Sequence, residues 1–173
     1  MVQQGLNLVR GISPCARKRV VVQLWHMPNY SIVAHTRYII KYHIVWIVKY
    51  RHDILADAAI SDAVNKIIRE IAERYGFTII SLGTDGNHIH IFVSAPPRFS
   101  PSQIVNILKS ISGRQIFQQF PEVKKRLWGG EFWGDGYYVG TVGDGTTTDI
   151  IKRYIANQGK ETDHKGFAQL KLF

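Results

Sequence analysis

The sequence is poor in cysteine and lacks a long apolar segment. Cys15 is the only cysteine among 173 residues, which excludes a disulfide framework and a cysteine-based zinc site. This cysteine usage suits the reducing cytoplasm, where we expect the protein to reside. No apolar run reaches the roughly 18 residues that a membrane-spanning helix needs. Residues 1–20 also lack the continuous apolar stretch of a secretory signal.

Acidic residues are missing from the first third of the chain. Eight of the 22 Lys and Arg residues, and none of the 13 Asp and Glu residues, precede Asp53. The rest of the chain is close to neutral, so the net charge of +9 is concentrated near the N-terminus. Such an excess favours a polyanion, either nucleic acid or an acidic membrane surface. It also suits a solvated basic face that maintains solubility, and charge alone does not separate these interpretations.

Several common catalytic motifs are absent as well. The sequence contains no G-x-x-x-x-G-K-[ST] phosphate loop, no H-E-x-x-H zinc motif and no G-x-S-x-G nucleophile elbow. The glycines of residues 140–145 do not match a dinucleotide-binding fingerprint. These absences argue against P-loop nucleotide hydrolysis, zinc-protease chemistry and α/β-hydrolase chemistry.

Hydrophobic periodicity divides most of the chain into alternating strands and helices. Segments rich in β-branched and aromatic residues predict strands over residues 38–50, 77–83, 88–94 and 137–142. Apolar residues at helical spacing predict helices over residues 58–74, 101–120 and 149–158. The order β-α-β-β-α-β is typical of an α+β, ferredoxin-like or RRM-like fold, and the last helix is an addition at its C-terminal end. Helices are predicted to cover one face of the antiparallel sheet and to leave the other face free.

Local signals mark the ends of these elements. Ser61 is a candidate N-cap for the first helix, and Gly76 follows that helix as a C-terminal glycine. Ser100-Pro101 supplies an N-cap and a first helical residue for the second helix. Thr146–Asp149 resembles a capping box for the last helix. The dipeptide Asp85-Gly86 predicts a hairpin turn between two strands.

Residues 1–35 fit this order poorly. We interpret them as a basic N-terminal extension that precedes a domain over residues 36–173. Residues 20–25 could form an added strand, but Pro14 and Pro28 interrupt the segment. The extension is either an ordered appendage or translated sequence upstream of a later start such as Met27.

The strongest chemical signal is the sequence DGNHIHIFV at residues 85–93. Alternate residues of a strand face opposite sides, so His88 and His90 share one face while the isoleucines between and after them face the helices. Two adjacent imidazoles suit two ligands of one cation. The alternative is a pair of polar residues on a solvated sheet face.

A second signal lies in the last predicted helix. Tyr154 and Gln158 are four residues apart and therefore project from one helix face. A tyrosine can form a covalent phosphodiester with DNA if a cation polarises the phosphate, and Gln158 could supply an oxygen to that cation. The alternative is that Tyr154 is a half-buried member of the apolar stripe of this helix.

A third signal is a mixture of aromatic and basic residues over residues 124–138. Trp128, Trp133, Tyr137 and Tyr138 lie close in sequence to three consecutive cations. This composition suits stacking and backbone contacts to unpaired nucleotides. A loop that packs its aromatic side chains on the core would have the same composition.

Together these segments resemble the single-tyrosine transposases of the HUH endonuclease superfamily, which move insertion sequences as single DNA strands. The superfamily is named for a histidine–hydrophobe–histidine strand, here His88-Ile89-His90. The resemblance extends from about Thr36 to Lys160, and residues 36–173 would therefore be the transposase domain. It rests on the motifs YHIVWIVKYRHDIL, DGNHIHIFVSAPP, FWGDGYYVGTVGDGT and IKRYIANQ and on the helix that carries Lys109.

The resemblance implies a mechanism. His88 and His90 would bind Mg²⁺ or Mn²⁺, and Gln158 would be the third protein ligand. The magnesium assignment follows from the family, because imidazole ligands alone would also suit zinc or nickel. Tyr154 would attack DNA to leave a 5′-phosphotyrosine and a free 3′-hydroxyl, without ATP.

The resemblance also implies partners. Family members are homodimers that can share active sites between subunits, and they recognise DNA hairpins at the element ends. We predict that DNA is contacted by cations and one tryptophan, namely Lys109, Arg114, Lys124, Lys125, Arg126, Trp133, Lys152 and Arg153. The extension at residues 1–35 departs from the family pattern, and its role stays open.

A non-enzymatic function is the main alternative. A ferredoxin-like sheet can bind single-stranded nucleic acid through its open face, as RNA-recognition domains do. The histidines at residues 88 and 90 argue against it, because aromatic residues are expected there. A phosphodiesterase with two His-x-Ser/Thr motifs is less consistent, since only one His-x-His is present.

Overall fold

The computed structural model describes residues 31–33, 36–143 and 146–157. The predicted strand over residues 20–25, Gln158 and the end of the last predicted helix lie outside these residues. The strands are β1 (Ser31–Val33), β2 (Thr36–Tyr38), β3 (Lys41–Ile47), β4 (Thr78–Asp85), β5 (His88–Ser94) and β6 (Tyr138–Thr141). The helices are α1 (Ala58–Tyr75), α2 (Pro101–Gln119), α3 (Pro121–Arg126) and α4 (Thr146–Ala156).

Four strands form one antiparallel sheet in the order β4-β5-β3-β6, and β1 and β2 pair with each other in a separate ladder. β5 is therefore a central strand with a neighbour on each side. The predicted α+β, ferredoxin-like fold is confirmed. The single strand predicted over residues 38–50 is shorter in the structure, because β2 ends at Tyr38 and a 3-10 turn follows β3 at Lys49–Arg51.

Helix α1 begins earlier than its predicted cap. Asp57 is the N-cap, and its carboxylate accepts a hydrogen bond from the Ala59 amide at 2.9 Å. Ser61 lies one turn further into the helix, where its hydroxyl bonds Thr84 Oγ1 at 2.6 Å. The prediction that Ser61 caps this helix was thus wrong. Gly76 ends the helix in the left-handed conformation at φ 72°, as predicted.

Helix α2 begins as the sequence indicates. Ser100 is the N-cap of a capping box with Gln103, and Pro101 occupies the first turn. The helix stops at Gln119, but Pro121 also opens the short helix α3, which the periodicity did not predict. The last turn of α3 is basic and leads directly into the loop before β6.

The main core lies between one sheet face and helices α1 and α2. Alternation places the apolar side chains of β3 and β5 on this face, and all are buried: Ile44, Trp46, Ile89, Ile91 and Val93. Burying a side chain of this size contributes about 1.5–3 kcal/mol. The same alternation directs His88 and His90 to the opposite face.

The opposite face is not free, which corrects the prediction. Helix α4 packs on it through Ile155, which is buried with Phe92 and Val142. Gly83 of β4 allows this approach, because a Cβ atom there would lie 2.6 Å from the Ile155 carbonyl oxygen. Helix α4 begins at Thr146, three residues before the predicted start. Among the described residues, no helix has the length and apolar composition to cross a bilayer.

Candidate active site

The two motif histidines lie side by side on the face that α4 partly covers. His88 and His90 alternate with buried isoleucine on β5, and their ring centroids are 5.0 Å apart. His90 pairs with Val45 of β3 and with Gly83 of β4. It is only 6% exposed, whereas His88 is half-buried at the start of the strand. The strand geometry thus places both imidazoles on one face, as the sequence indicates.

Tyr154 comes to the same place from helix α4. Its ring stands edge-on to the His90 ring, with centroids 5.4 Å apart and an interplanar angle of 81°. Ile155, the next residue, is buried and anchors the helix, while Tyr154 remains 38% exposed. The phenol is therefore not a core residue. The structure brings Tyr154, His88 and His90 of one chain together, and the predicted ligand Gln158 lies outside the described residues.

A third histidine, which the sequence reasoning missed, lies against His90. His43 Nε2 is 3.1 Å from His90 Nδ1, and the two rings stack with a 17° interplanar angle. Tyr138 of β6 also lies against His43, edge-on, with ring centroids 6.1 Å apart. The period-two pattern of YHIVW places His43 and Val45 on one face, but only the pairing of Val45 with His90 reveals the contact.

Burial keeps these imidazoles neutral. Desolvation, together with the neighbouring His88 and His43, lowers the pKa of His90 to about 3. Burial also lowers the pKa of His43 and that of His88. Neutral imidazole is the form that binds a cation. The three side chains are thus in the metal-binding protonation state at neutral pH.

Two imidazole nitrogens could hold a cation. His88 Nδ1 lies 3.2 Å from the Asn87 side-chain oxygen, an acceptor, so Nδ1 carries the proton and Nε2 keeps its lone pair. His90 Nε2 is buried and has no hydrogen-bond partner within the described part of the chain. A cation would satisfy this nitrogen, so the residues fit the metal. In the described ranges, no group of three His, Cys, Asp or Glu side chains forms a full ligand set.

Two of the predicted DNA contacts have other roles in the structure. Trp133 is 5% exposed, and its indole N–H donates to Ser112 Oγ at 2.8 Å inside the core. A stacking residue needs an open ring face, and the buried Trp133 ring presents none. The Lys109 ammonium donates to the carbonyls of Gly134, Asp135 and Gly136 and holds the loop before β6. Burial lowers its pKa.

The other predicted DNA-binding side chains are at the surface. Arg114 is exposed on α2, and Lys152 and Arg153 are exposed on α4 beside Tyr154. Lys152 also lies 3.9 Å from the Asp149 carboxylate, a surface pair of little energetic value. The cations of α3 are exposed as well, namely Lys124, Lys125 and Arg126. All six are in positions that a phosphate backbone could reach.

Comparison with known proteins decides the family. The sequence model of the family described as "Transposase IS200 like" matches residues 36–158. The chain belongs to the IS200-like transposase family. The match includes β2 to α4 and therefore His43, His88, His90 and Tyr154. The resemblance to the single-tyrosine HUH transposases is confirmed.

Individual IS200-like relatives agree with this assignment. The ISDra2 transposase TnpA of Deinococcus radiodurans is 36% identical over 121 residues, which cover 70% of this chain and 85% of the relative. The transposase for insertion sequence element IS200 of Salmonella typhimurium is 36% identical over 135 residues, 78% of this chain and 87% of the relative. The chain is thus similar to nearly the full length of these IS200-like transposases.

Solved structures show the same fold. The crystal structure of a candidate transposase from Deinococcus radiodurans superposes with a TM-score of 0.60 at 34% identity, over 74% of this chain and 97% of that one. A REP-associated tyrosine transposase bound to a REP hairpin superposes with a TM-score of 0.51 at 14% identity, over 73% and 72% of the two chains. The more distant likeness supports the fold alone.

Proposed function

We propose that this IS200-like transposase cleaves and rejoins single-stranded DNA at the ends of an insertion sequence, with Tyr154 as the nucleophile. One observation carries the proposal: the Tyr154 ring lies 5.4 Å from the His90 ring, in the chain that also supplies His88. A tyrosine nucleophile beside two neutral imidazoles that can hold a cation supplies groups that phosphodiester exchange uses.

The covalent step exchanges one phosphodiester for another. The Tyr154 oxygen forms a bond to phosphorus, the bond between phosphorus and the 3′ oxygen breaks, and the phenol proton ends on the departing oxygen. The products are a 5′-phosphotyrosine and a 3′-hydroxyl. A 3′-hydroxyl of another strand reverses the step and returns the proton to Tyr154. No ATP is needed, because the number of phosphodiester bonds is unchanged.

His88 and His90 would hold the cation through their Nε2 atoms, and Gln158 would add a side-chain oxygen. Mg²⁺ or Mn²⁺ bound there would polarise the scissile phosphate and so assist the attack. For His90 Nε2 to keep its lone pair, Nδ1 must carry the proton and donate a hydrogen bond to His43 Nε2. His43 would thereby fix the orientation of the His90 ring, as outer-sphere partners of metal-bound histidines do.

The DNA partner and the assembly are parts of the same proposal. A related fold is described as bound to a REP hairpin, which supports recognition of a terminal hairpin by this chain. We also propose a homodimer, formed by the domain of residues 36–173, that acts on DNA in the cytoplasm. The short distance between Tyr154 and His90 supports attack by the tyrosine of the same subunit as the histidines. Residues 1–35 would add a basic extension to this domain.

The non-enzymatic alternative has less support. RNA-recognition domains bind through aromatic residues on an open sheet face. In this chain that face carries three histidines, and α4 covers part of it. We therefore favour the enzyme.

The test is covalent capture of labelled DNA. A 5′-³²P-labelled and a 3′-³²P-labelled single-stranded hairpin oligonucleotide from the element end are each incubated with protein and Mn²⁺ in the absence of ATP. The proposal expects a denaturation-resistant adduct with the 3′ label only, since the 5′ phosphate remains on tyrosine. Loss of the adduct in Tyr154→Phe, with hairpin binding retained, supports the assignment. An adduct that persists in Tyr154→Phe overturns it.

A further inference from the structure

Two large aromatic side chains are stacked on each other at the surface. Trp128 is 74% exposed and Tyr50 is 47% exposed. Their rings are nearly parallel, with a 9° interplanar angle and centroids 5.1 Å apart. Tyr50 covers one face of the indole, so the exposure of Trp128 is on its remaining face and edges. Aromatic side chains of this size mostly contribute to cores and interfaces, and this pair is presented to solvent instead.

The backbone is shaped to hold this pair. Tyr50 and Arg51 both adopt the left-handed conformation, at φ 58° and φ 56°. A non-glycine residue in this region is uncommon and is held there by surrounding contacts. The Lys49 amide donates to the Phe132 carbonyl at 2.9 Å, and the Lys49 ammonium binds Glu131 at 2.6 Å. These bonds join the Tyr50 turn to the loop that carries Trp128.

The pair lies at the end of the sheet where the candidate active site begins. The Val48 amide donates to the Asn87 carbonyl at 2.8 Å, one residue before His88. Burial is the main cause that lowers the pKa of His88, and the positive charge of Arg51 acts in the same direction. That guanidinium is therefore within electrostatic reach of His88. Tyr50 therefore follows directly after the backbone segment that is bonded to the residue before His88.

The charges around the pair favour an anionic ligand. The last turn of α3 consists of Lys124, Lys125 and Arg126, and it leads through Leu127 directly to Trp128. All three cations are exposed. Two acidic residues of the loop that carries Trp128, Glu131 and Asp135, are bound to the Lys49 ammonium of the Tyr50 turn. An open aromatic face beside cations matches a ligand with both a flat apolar surface and phosphate.

We propose that the Tyr50–Trp128 pair is a stacking platform for an unpaired base of the DNA strand, close to the phosphodiester that the active site cleaves. An unpaired nucleotide supplies the ring face and the phosphate together, whereas the bases of a duplex are already stacked. The proposal rests on the proposed function, because it assumes that the substrate is single-stranded DNA.

The test compares a strand that has bases with one that lacks them. Fluorescein-labelled (dT)12 and a 12-unit strand of tetrahydrofuran abasic residues have the same phosphate charge. Both are titrated into the non-cleaving Tyr154→Phe protein without metal, and anisotropy reports binding. In that background Trp128→Ala should weaken binding of (dT)12 by about 5- to 150-fold, the range for one stacked base. Binding of the abasic strand should stay the same.

Two further variants make the result specific. Trp128→Phe keeps an aromatic face and should retain most of the affinity for (dT)12. Ile32→Ala removes an exposed apolar side chain from the separate β1–β2 ladder and should change neither titration. Thermal melting of each variant shows whether the fold is intact, and an intact fold is expected because Trp128 contributes little to the core.

Three outcomes would overturn the proposal. If Trp128→Ala binds (dT)12 as tightly as the Tyr154→Phe protein does, no base stacks on Trp128. Equal weakening for both strands means that the loop supports backbone contacts only. Conversion of a dimer to a monomer by Trp128→Ala in sedimentation without DNA means that the pair is an interface between two copies. Because no titration requires cleavage, a failure of the proposed chemistry would appear only in the adduct assay with the native tyrosine.

Discussion

His43 Nε2 lies 3.1 Å from His90 Nδ1, and the two rings are stacked on the sheet face that carries the candidate active site. This contact connects β3 to the motif strand β5. It leaves His90 Nε2 as the nitrogen without a partner in the described part of the chain. The orientation of the proposed ligand is therefore set by a neighbouring strand and not by the His-x-His motif alone.

The first prediction follows from this contact. His43→Ala removes the acceptor for His90 Nδ1–H and should weaken Mn²⁺ binding by about 10- to 100-fold, the usual effect of losing such a partner. Calorimetric titration of Mn²⁺ into the protein measures this. His43→Gln offers an amide oxygen at the same position and should recover part of the affinity. The control is His52→Ala, because His52 is an exposed histidine on the turn after β3. Unchanged Mn²⁺ affinity in His43→Ala would show that His43 does not orient the His90 ring for metal binding.

The second prediction concerns the contact between β4 and α4. Gly83→Ala places a Cβ atom 2.6 Å from the Ile155 carbonyl oxygen and 3.1 Å from Ile155 Cγ2, so α4 must shift. Because Tyr154 is the preceding residue, adduct formation should fall by at least tenfold while the main core, on the other sheet face, stays intact. Gly143→Ala meets no atom within 4 Å and is the matched control. Equal activity of the two variants would show that α4 does not need this close approach.

The third prediction is a loss of stability in acid. The pKa of His90 is about 3 in the folded, metal-free protein and about 6.5 in the unfolded chain. Between these values the unfolded state binds more protons, so the free energy of unfolding should fall as the pH decreases below about 6.5. One histidine contributes at most about 1.4 kcal/mol per pH unit. Denaturant unfolding from pH 7 to pH 4 measures this slope, and His90→Gln should reduce it. An unchanged slope would mean that His90 is solvated.

The fourth prediction tests the structural role of Trp133. Ser112→Ala removes the acceptor of the buried Trp133 N–H and should destabilise the protein by about 1–3 kcal/mol. Binding of single-stranded DNA should be unaffected. Ser110→Ala, an exposed position on the same helix, should cost less than about 0.5 kcal/mol. A clear loss of DNA affinity in folded Ser112→Ala protein would indicate that Trp133 contributes to DNA binding.

The sequence predicts this fold well where one local signal decides the structure. Alternation in DGNHIHIFV assigns the two faces of β5, and Ser100 with Gln103 marks the start of α2. It fails where two distant segments decide. The contact of His43 with His90 depends on the register of β3 and β5. The position of α4 on the second sheet face depends on the absence of a side chain at Gly83.

Which tryptophan is buried and which is exposed also depends on contacts between distant segments. Trp128 and Trp133 have similar local composition, yet Trp133 is buried against Trp46 and Phe132 while Trp128 faces solvent on Tyr50. The residues next to each tryptophan do not predict this difference, because the difference depends on which ring packs against the core. The left-handed turn at Tyr50 and Arg51 likewise contains no glycine, so the sequence does not predict it.

The most direct test of the account is to locate the DNA on the protein. After adduct formation with Mn²⁺, nuclease and trypsin digestion should leave a nucleotide on the peptide of residues 154–160, which contains one tyrosine. Tandem mass spectrometry then assigns the modified side chain. We predict a nucleotide joined through its 5′ phosphate to Tyr154. A nucleotide attached to any other residue, such as Tyr137 or Tyr138, would contradict it.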